Sequence, residues 1–214
     1  MKRLALPILL FAAAGARADI TSTFDSDNEG WTTANVDTSD LSILSSSAAA
    51  WEAGHLTATE TPGQFFVYAA PTKYLGDKST FYGGSVSFAL SDTVRDGLRY
   101  PNLLLRGNGT AIAYFTLPPS AAGTTYTIPL TANPAATNPL TTNGWYDFNQ
   151  KPVSEATLRG VLSNLDRFGV SADWATARQD VTTLDNVIVA APVPEPATFA
   201  ALGLGLLAVV RRRR

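Results

Sequence analysis

The side chains best suited to acid–base or nucleophilic chemistry are scarce in this 214-residue chain, which holds one histidine, His55, and no cysteine. General acid–base catalysis needs groups that titrate near working pH, most often histidine or a pair of carboxylates. A Ser–His–Asp triad would have to recruit His55, which stands beside Gly54 in a strand-like run, and serine runs such as Ser45-Ser46-Ser47 lack the G-x-S-x-G elbow. A strand histidine that is satisfied locally or faces solvent is the simpler reading. The absence of cysteine removes thiol nucleophiles, disulfides, thiolate zinc sites and iron–sulfur clusters. The 18 acidic residues are scattered, and the separation of any pair suited to glycoside hydrolysis is a property of the fold, not of the spacing. No residue is assigned a catalytic role, and the chain is expected not to be an enzyme.

Two ligand chemistries stay open. Asp25-Ser26-Asp27-Asn28-Glu29-Gly30 sets alternating acids ahead of a glycine, as the first half of a calcium loop does. An EF-hand would put its bidentate glutamate where Val36 stands and would need flanking helices that the pattern lacks. A sandwich-type site for a structural Ca2+ would use Asp25 and Glu29 near the first strand and Asp185 near the last; the alternative is a solvated Asx/Gly turn leading into Trp31. Carbohydrate recognition needs exposed aromatic platforms with polar neighbours. Trp145 and Tyr146, in a long Asn/Pro/Thr-rich loop region, and Trp174 in a late strand are the candidates, and Trp145 serves equally well as a cap on the core. Trp31 and Trp51 read as core residues. Asn108-Gly109-Thr110 fits a glycosylation pattern but reads as a turn.

The elements that must position these residues are mostly strands. Short β-type runs separated by Gly, Pro, Asn and Ser fall at 31–36, 55–59, 64–69, 84–90, 103–106, 112–117, 125–130, 167–174 and 182–189. In Ser85-Val86-Ser87-Phe88-Ala89-Leu90, the residues Val86, Phe88 and Leu90 share one face. One segment changes period: Leu158, Val161, Leu162 and Leu165 sit at helical spacing behind Ser154, a suitable N-cap, with Glu155 in the first turn. The expected fold is all-β, a jelly-roll-like β-sandwich with one short helix, spanning residues 19–190.

Both ends carry addresses. Residues 1–18 read as a signal peptide, with basic Lys2 and Arg3, an apolar stretch and the small-residue site Ala16-Arg17-Ala18. Residues 191–214 hold Pro194, Glu195 and Pro196, then an apolar run of 14 residues from Ala197 to Val210, and finally Arg211, Arg212, Arg213 and Arg214. As a helix that run is about 21 Å long, short for a permanent span of a hydrocarbon core of about 30 Å. The arginines can hold it on the cytoplasmic side. The formal charge of −2 therefore averages unlike segments. Removing Lys2, Arg3 and Arg17 at one end and Arg211 to Arg214 at the other takes 7 of 16 basic residues and leaves 9 against 18 acids, about −9 for the working domain. Nucleic acid is a poor partner for such a surface.

The order Pro194-Glu195-Pro196, apolar run, terminal arginines resembles the PEP-CTERM sorting signal of Gram-negative bacteria. That resemblance implies export across the inner membrane, transient anchoring there by the tail, and processing by an exosortase that reads the Pro-Glu-Pro motif. A plain C-terminal membrane anchor is the alternative, and it would keep the arginines. A second resemblance covers the middle of the chain. Phe24…Gly30-Trp31, Pro71-Thr72-Lys73-Tyr74-Leu75-Gly76-Asp77, Tyr82-Gly83-Gly84…Ser87-Phe88 and Leu184-Asp185-Asn186-Val187 resemble, in that order, the laminin IV type A (laminin B) domain. The family usually has a basic residue in the strand after the helix, where this chain has Val170-Ser171-Ala172. The resemblance implies a jelly-roll-like extracellular module that is not an enzyme. The combined expectation is a secreted surface or exopolysaccharide-matrix protein with a structural or adhesive role; the alternative is a carbohydrate-binding module that recognises matrix polysaccharide through loop aromatics.

Overall fold

The alternating runs assemble into two antiparallel sheets that face each other. A computed structural model describes residues 18–60, 65–175 and 178–193. The expectations for Lys2, Arg3, the Pro194-Glu195-Pro196 motif and Arg211 to Arg214 lie outside the described residues. Residues Ala18–Pro192 form one unit. Its strands are β1 (Ile20–Ser22), β2 (Thr32–Val36), β3 (Ile43–Ala48), β4 (Ala50–Glu52), β5 (His55–Thr59), β6 (Phe65–Ala69), β7 (Ser85–Asp92), β8 (Tyr100–Gly107), β9 (Thr110–Thr116), β10 (Thr124–Pro129), β11 (Gly144–Asp147), β12 (Leu165–Ser171) and β13 (Val181–Ala190). The first sheet runs β10-β7-β13-β5-β4, with β1 also paired to β13, and the second runs β11-β9-β8-β12-β6-β2-β3. Among the described residues no helix is long and apolar enough to cross a membrane.

The core lies between the sheets. Val86, Phe88 and Leu90 of β7 point into it beside Leu56, Leu184 and Val187, in one cluster with Trp31, just ahead of β2, and with Tyr68, Leu103, Leu105 and Phe168 of the second sheet. Strand β8 is buried without alternation at Leu103, Leu104 and Leu105. The reason is that Leu104 belongs to a second cluster, with Val36, Leu41 and Val67, on the outer face of the second sheet. A strand covered on both faces reads as a continuous apolar run.

The helix α1 (Glu155–Leu162) begins as expected: Ser154 accepts a hydrogen bond from the Thr157 amide at 3.1 Å. It buries Leu158, Val161 and Leu162. Leu165, the fourth residue of the helical spacing, instead opens β12, because the helix ends at Ser163 and Leu165 pairs with Gly76. The helix lies so close to β8 that a Cβ on Gly107 would come within 2.2 Å of the Val161 carbonyl oxygen.

Candidate functional site

Several residues that carried the family resemblance, Trp31, Tyr74, Gly76 and Val187, converge on one corner. The Pro71-to-Asp77 segment folds as a 3-10 turn over Thr72–Tyr74. Tyr74 is buried, its hydroxyl 3.0 Å from Ser22 Oγ and 3.1 Å from the Val187 carbonyl. Trp31 donates to the same Ser22 Oγ at 2.9 Å and packs edge-on against the Tyr74 ring at 5.3 Å. Gly76 exchanges two backbone hydrogen bonds with Leu165, at 2.7 and 2.9 Å. Asn186 has φ 52° at the point where the β13–β7 register shifts, which frees the Val187 carbonyl for Tyr74. The motif is thus a structural latch joining β1, the 3-10 turn, β12 and β13.

Lys73 of that motif occupies the ground expected for a calcium ion. Its Nζ donates to the Thr21 carbonyl at 2.6 Å and to Glu29 Oε2 at 2.5 Å, while Glu29 Oε1 accepts from the Thr23 and Phe24 amides, each at 2.9 Å. Burial alone would raise the Glu29 pKa, but Lys73 and the donors of Phe24, Ser22 and Thr23 outweigh it and hold the carboxyl below its ordinary value. Asp25 accepts from the Thr23 hydroxyl at 2.7 Å, and Asp185 accepts from its neighbour Asn186 at 2.7 Å. Of the expected Ca2+ set, Glu29 is already paired with the Lys73 ammonium, and among the described residues Asp25, Glu29 and Asp185 are not a group whose carboxylate oxygens all lie within 4.8 Å of one another.

The aromatic candidates are inside the protein. Trp145 is 1 % exposed, Tyr146 and Trp174 0 %. The loop expected around Trp145 and Tyr146 is strand β11, paired with β9. Trp145 Nε1 donates to the Pro129 carbonyl at 2.9 Å, and its ring meets Tyr114 edge-on at 5.4 Å. Tyr146 stands perpendicular to Phe115, and Trp174 is edge-on to Tyr100. None of the three presents a free ring face to a sugar. Trp51, expected in the core, is the exposed tryptophan, at 42 %, with its Nε1 2.6 Å from the Phe24 carbonyl.

His55 and Asp185 line a cleft of about 270 Å³ on the outer face of the first sheet, walled by Ala89, Ser91, Thr183 and the Ala121–Gly123 turn. Burial raises the Asp185 pKa, while the Asn186 amide and His55 pull it back. The Ser91 hydroxyl is committed to Thr183 Oγ1 at 2.6 Å, and among the described residues no hydrogen bond joins His55 to Ser91 or Asp185. A triad is not assembled there.

The acids that do converge were not singled out by the sequence pattern. Glu60 follows β5, Asp180 precedes β13 and Asp173 follows β12; one carboxylate oxygen from each lies within 4.8 Å of the others. Glu60 is 2 % exposed, Asp180 0 %, and Asp173 half-buried. Burial, then the neighbouring negative charges, pushes Glu60 upward; burial raises Asp180 and Asp173 too, Asp173 to about 6. Asp92 at the end of β7, 1 % exposed, is raised to about 6 by burial, with Asp180 adding to the effect. Asp180 Oδ2 accepts from the Trp174 amide at 3.0 Å. Each acid reads locally as an ordinary strand-end residue, and only the sheet register brings them together.

The comparisons agree with this architecture. The PEP-CTERM protein-sorting motif matches residues 192–214. No match was found among curated proteins. The L4b domain of human laminin alpha-2 superposes with a TM-score of 0.59 at 15 % identity, covering 80 % of this chain and 97 % of that domain. The family 11 carbohydrate-binding module of the cellulosomal cellulase Lic26A-Cel5E of Clostridium thermocellum covers 87 % of this chain and 94 % of its own at 15 % identity, but its TM-score of 0.42 is too low to carry an argument. The laminin B (Domain IV) family matches residues 67–201, more than half of the sequence, and with the latch residues of its motif meeting in one corner of a laminin-like sandwich, the chain belongs to that family.

Proposed function

We propose that the chain is a secreted, non-catalytic module of the cell surface or exopolysaccharide matrix of a Gram-negative bacterium, where it has a structural or adhesive role. Its organisation would be a signal peptide at 1–18, the sandwich at 19–190 and a sorting tail at 191–214. The tail holds the exported chain transiently at the inner membrane, and an exosortase then removes it through Pro194, Glu195 and Pro196. The observation that carries this reading is the conjunction, on one chain, of a laminin B domain and a terminal PEP-CTERM sorting motif. The non-catalytic part is supported by the unassembled His55 cleft and by the burial of Glu60 and Asp180, which takes those two residues out of solvent.

Mass spectrometry of the protein recovered from the cell surface tests the processing. A mature form lacking residues 1–18 and Arg211 to Arg214 is expected, and a surface form that keeps the four arginines refutes it. What co-purifies with that mature form identifies the matrix partner. The burial of Trp145, Tyr146 and Trp174 favours the structural reading over sugar recognition through loop aromatics. Retention on a matrix polysaccharide, lost on substituting an exposed residue of the His55 cleft, would reverse that preference.

A further inference from the structure

The β5–β13 register sets two acids against each other. Thr59 pairs with Val181, so Glu60 and Asp180 are the next residues out, and the Glu60 amide donates to the Asp180 carbonyl at 3.1 Å. Like charges directly opposite on adjacent strands repel. Both residues continue the inward-facing rows of Leu56 and Ala58 on β5 and Thr182 and Leu184 on β13, so the repulsion is aimed into the sandwich. Asp173 arrives from the other sheet, just beyond β12.

Among the described residues no ion pair balances this charge: none of the three reaches these carboxylates. Glu60 Oε2 and Asp180 Oδ1 are fully enclosed and have no hydrogen-bond partner. A buried carboxylate oxygen without a partner is costly, and native structures rarely keep one. Two of them, in residues at least 98 % buried and facing the same point, call for a ligand.

We propose that Glu60, Asp173 and Asp180 bind a divalent cation, Ca2+, that ties the two sheets together at this end of the sandwich. The size fits: oxygens about 2.4 Å from a shared Ca2+ can be no more than about 4.8 Å apart, and the three ligand atoms lie within 4.8 Å of one another. The chemistry fits as well. The donors are all carboxylate oxygens, which suit hard cations, and no imidazole or thiolate joins them to favour zinc. Calcium tolerates irregular oxygen sets completed by water, whereas Mg2+ requires near-ideal octahedral geometry. The half-buried Asp173 gives the ion its way in. The Trp174 amide holds Asp180 in place, and Asp92, whose buried Oδ2 also lacks a partner, adds negative charge beside the site.

The test uses the full chain in mild detergent, stripped with EGTA. Adding Ca2+ to about a hundredfold excess over Kd is expected to raise Tm by about 5–10 °C. Tb3+ in place of Ca2+ is expected to luminesce on tryptophan excitation, because Trp174 is bonded to a ligand residue. Asp173→Asn and Glu60→Gln keep shape while removing charge. Each is expected to melt higher than the parent in EGTA, since repulsion is relieved, and to weaken Ca2+ binding at least tenfold; Asp25→Asn is expected to change neither. A merely structural cluster would give the first effect without the second. An unchanged Tm between EGTA and Ca2+, a Ca2+ response that survives both amide variants, or a response to Mg2+ alone overturns the assignment.

Discussion

The Lys73–Glu29 pair offers the sharpest test of how the family motif holds this fold. Replacing Lys73 by Met keeps the aliphatic stem but removes the ammonium that reaches Glu29 Oε2 at 2.5 Å and the Thr21 carbonyl at 2.6 Å. Coulomb attraction at that separation is about 1.7 kcal/mol in a water-like dielectric and larger where solvent is excluded. Exposed pairs nonetheless yield only about 0.2–1 kcal/mol, because ordering two long side chains consumes the gain. Here the two side chains are 40 % and 24 % exposed, and two backbone amides already fix Glu29, so less ordering is needed. The expected coupling energy in a double-mutant cycle of Lys73→Met with Glu29→Gln is about 1 kcal/mol, within a total loss of about 2 kcal/mol for Lys73→Met, which also strips the Thr21 carbonyl of its donor. Urea unfolding followed by tryptophan fluorescence reads both, since Trp31 is packed against Tyr74 in the same corner. The sign of the pH effect follows from the lowered Glu29 pKa: its stabilisation is complete above the unfolded carboxylate value and is lost as pH falls toward the folded one. Glu29→Gln should flatten that acid limb. A coupling below about 0.3 kcal/mol, or an acid limb unchanged in Glu29→Gln, would refute the latch.

Other perturbations report on the rest of the frame. A Cβ on Gly84 would fall 2.0 Å from the Ala190 carbonyl oxygen, so Gly84→Ala should cost about 3 kcal/mol in urea unfolding, the upper end for overpacking; a neutral result would mean that the Tyr82-Gly83-Gly84 turn can yield. Tyr74→Phe removes a buried hydroxyl from Ser22 and Val187 and should cost about 1–2 kcal/mol, with a fall in Tm as the readout. Glu195→Ala should leave the tail on the exported protein, seen as a larger membrane-bound species on immunoblots of fractionated cells; normal release would argue against recognition through the Pro-Glu-Pro motif.

Much of the fold is readable because nine strands obey simple patterns. The 55–59, 182–189 and 84–90 runs correspond to β5, β13 and β7, whose inward residues alternate, in β13 on either side of the register shift between Asp185 and Ile188. Strand β3 escapes because Ile43–Ala48 is exposed at every position. At the edge of its sheet it has no apolar face to bury, and its serines read as turn. Strand β11 escapes because its four residues sit among Asn, Pro and Thr signals and are buried without alternation. That missed strand explains why Trp145 and Tyr146 look like platforms in the sequence and are core in the structure. Trp51 fails in the opposite sense: it looks like core but sits on the short edge strand β4. The latch was legible only through the order of its motif. No spacing rule joins Lys73 to Thr21 and Glu29, which are brought together by packing.

The two carboxylate sites resolve the same electrostatic problem differently, and the difference follows from where cations are available in the chain. At the Lys73 corner the neutralising charge is covalently supplied, because the motif places an ammonium within reach of Glu29. At the far end of β13 the three acids come from three separate strand ends, so no single local motif could deliver a lysine to all of them. The domain also has few cations to spare, with 9 basic residues against 17 acids between residues 19 and 190. Acids buried in such a domain must be met by a proton or by an ion from outside. An ion that joins the end of one sheet to the end of the other makes the module more rigid when cations are present, a property suited to a protein that works outside the cell. Under the proposed processing, loss of the tail arginines would sharpen this dependence, because it would remove the Arg211-to-Arg214 cluster and leave the acidic sandwich to find its counter-charge in its surroundings.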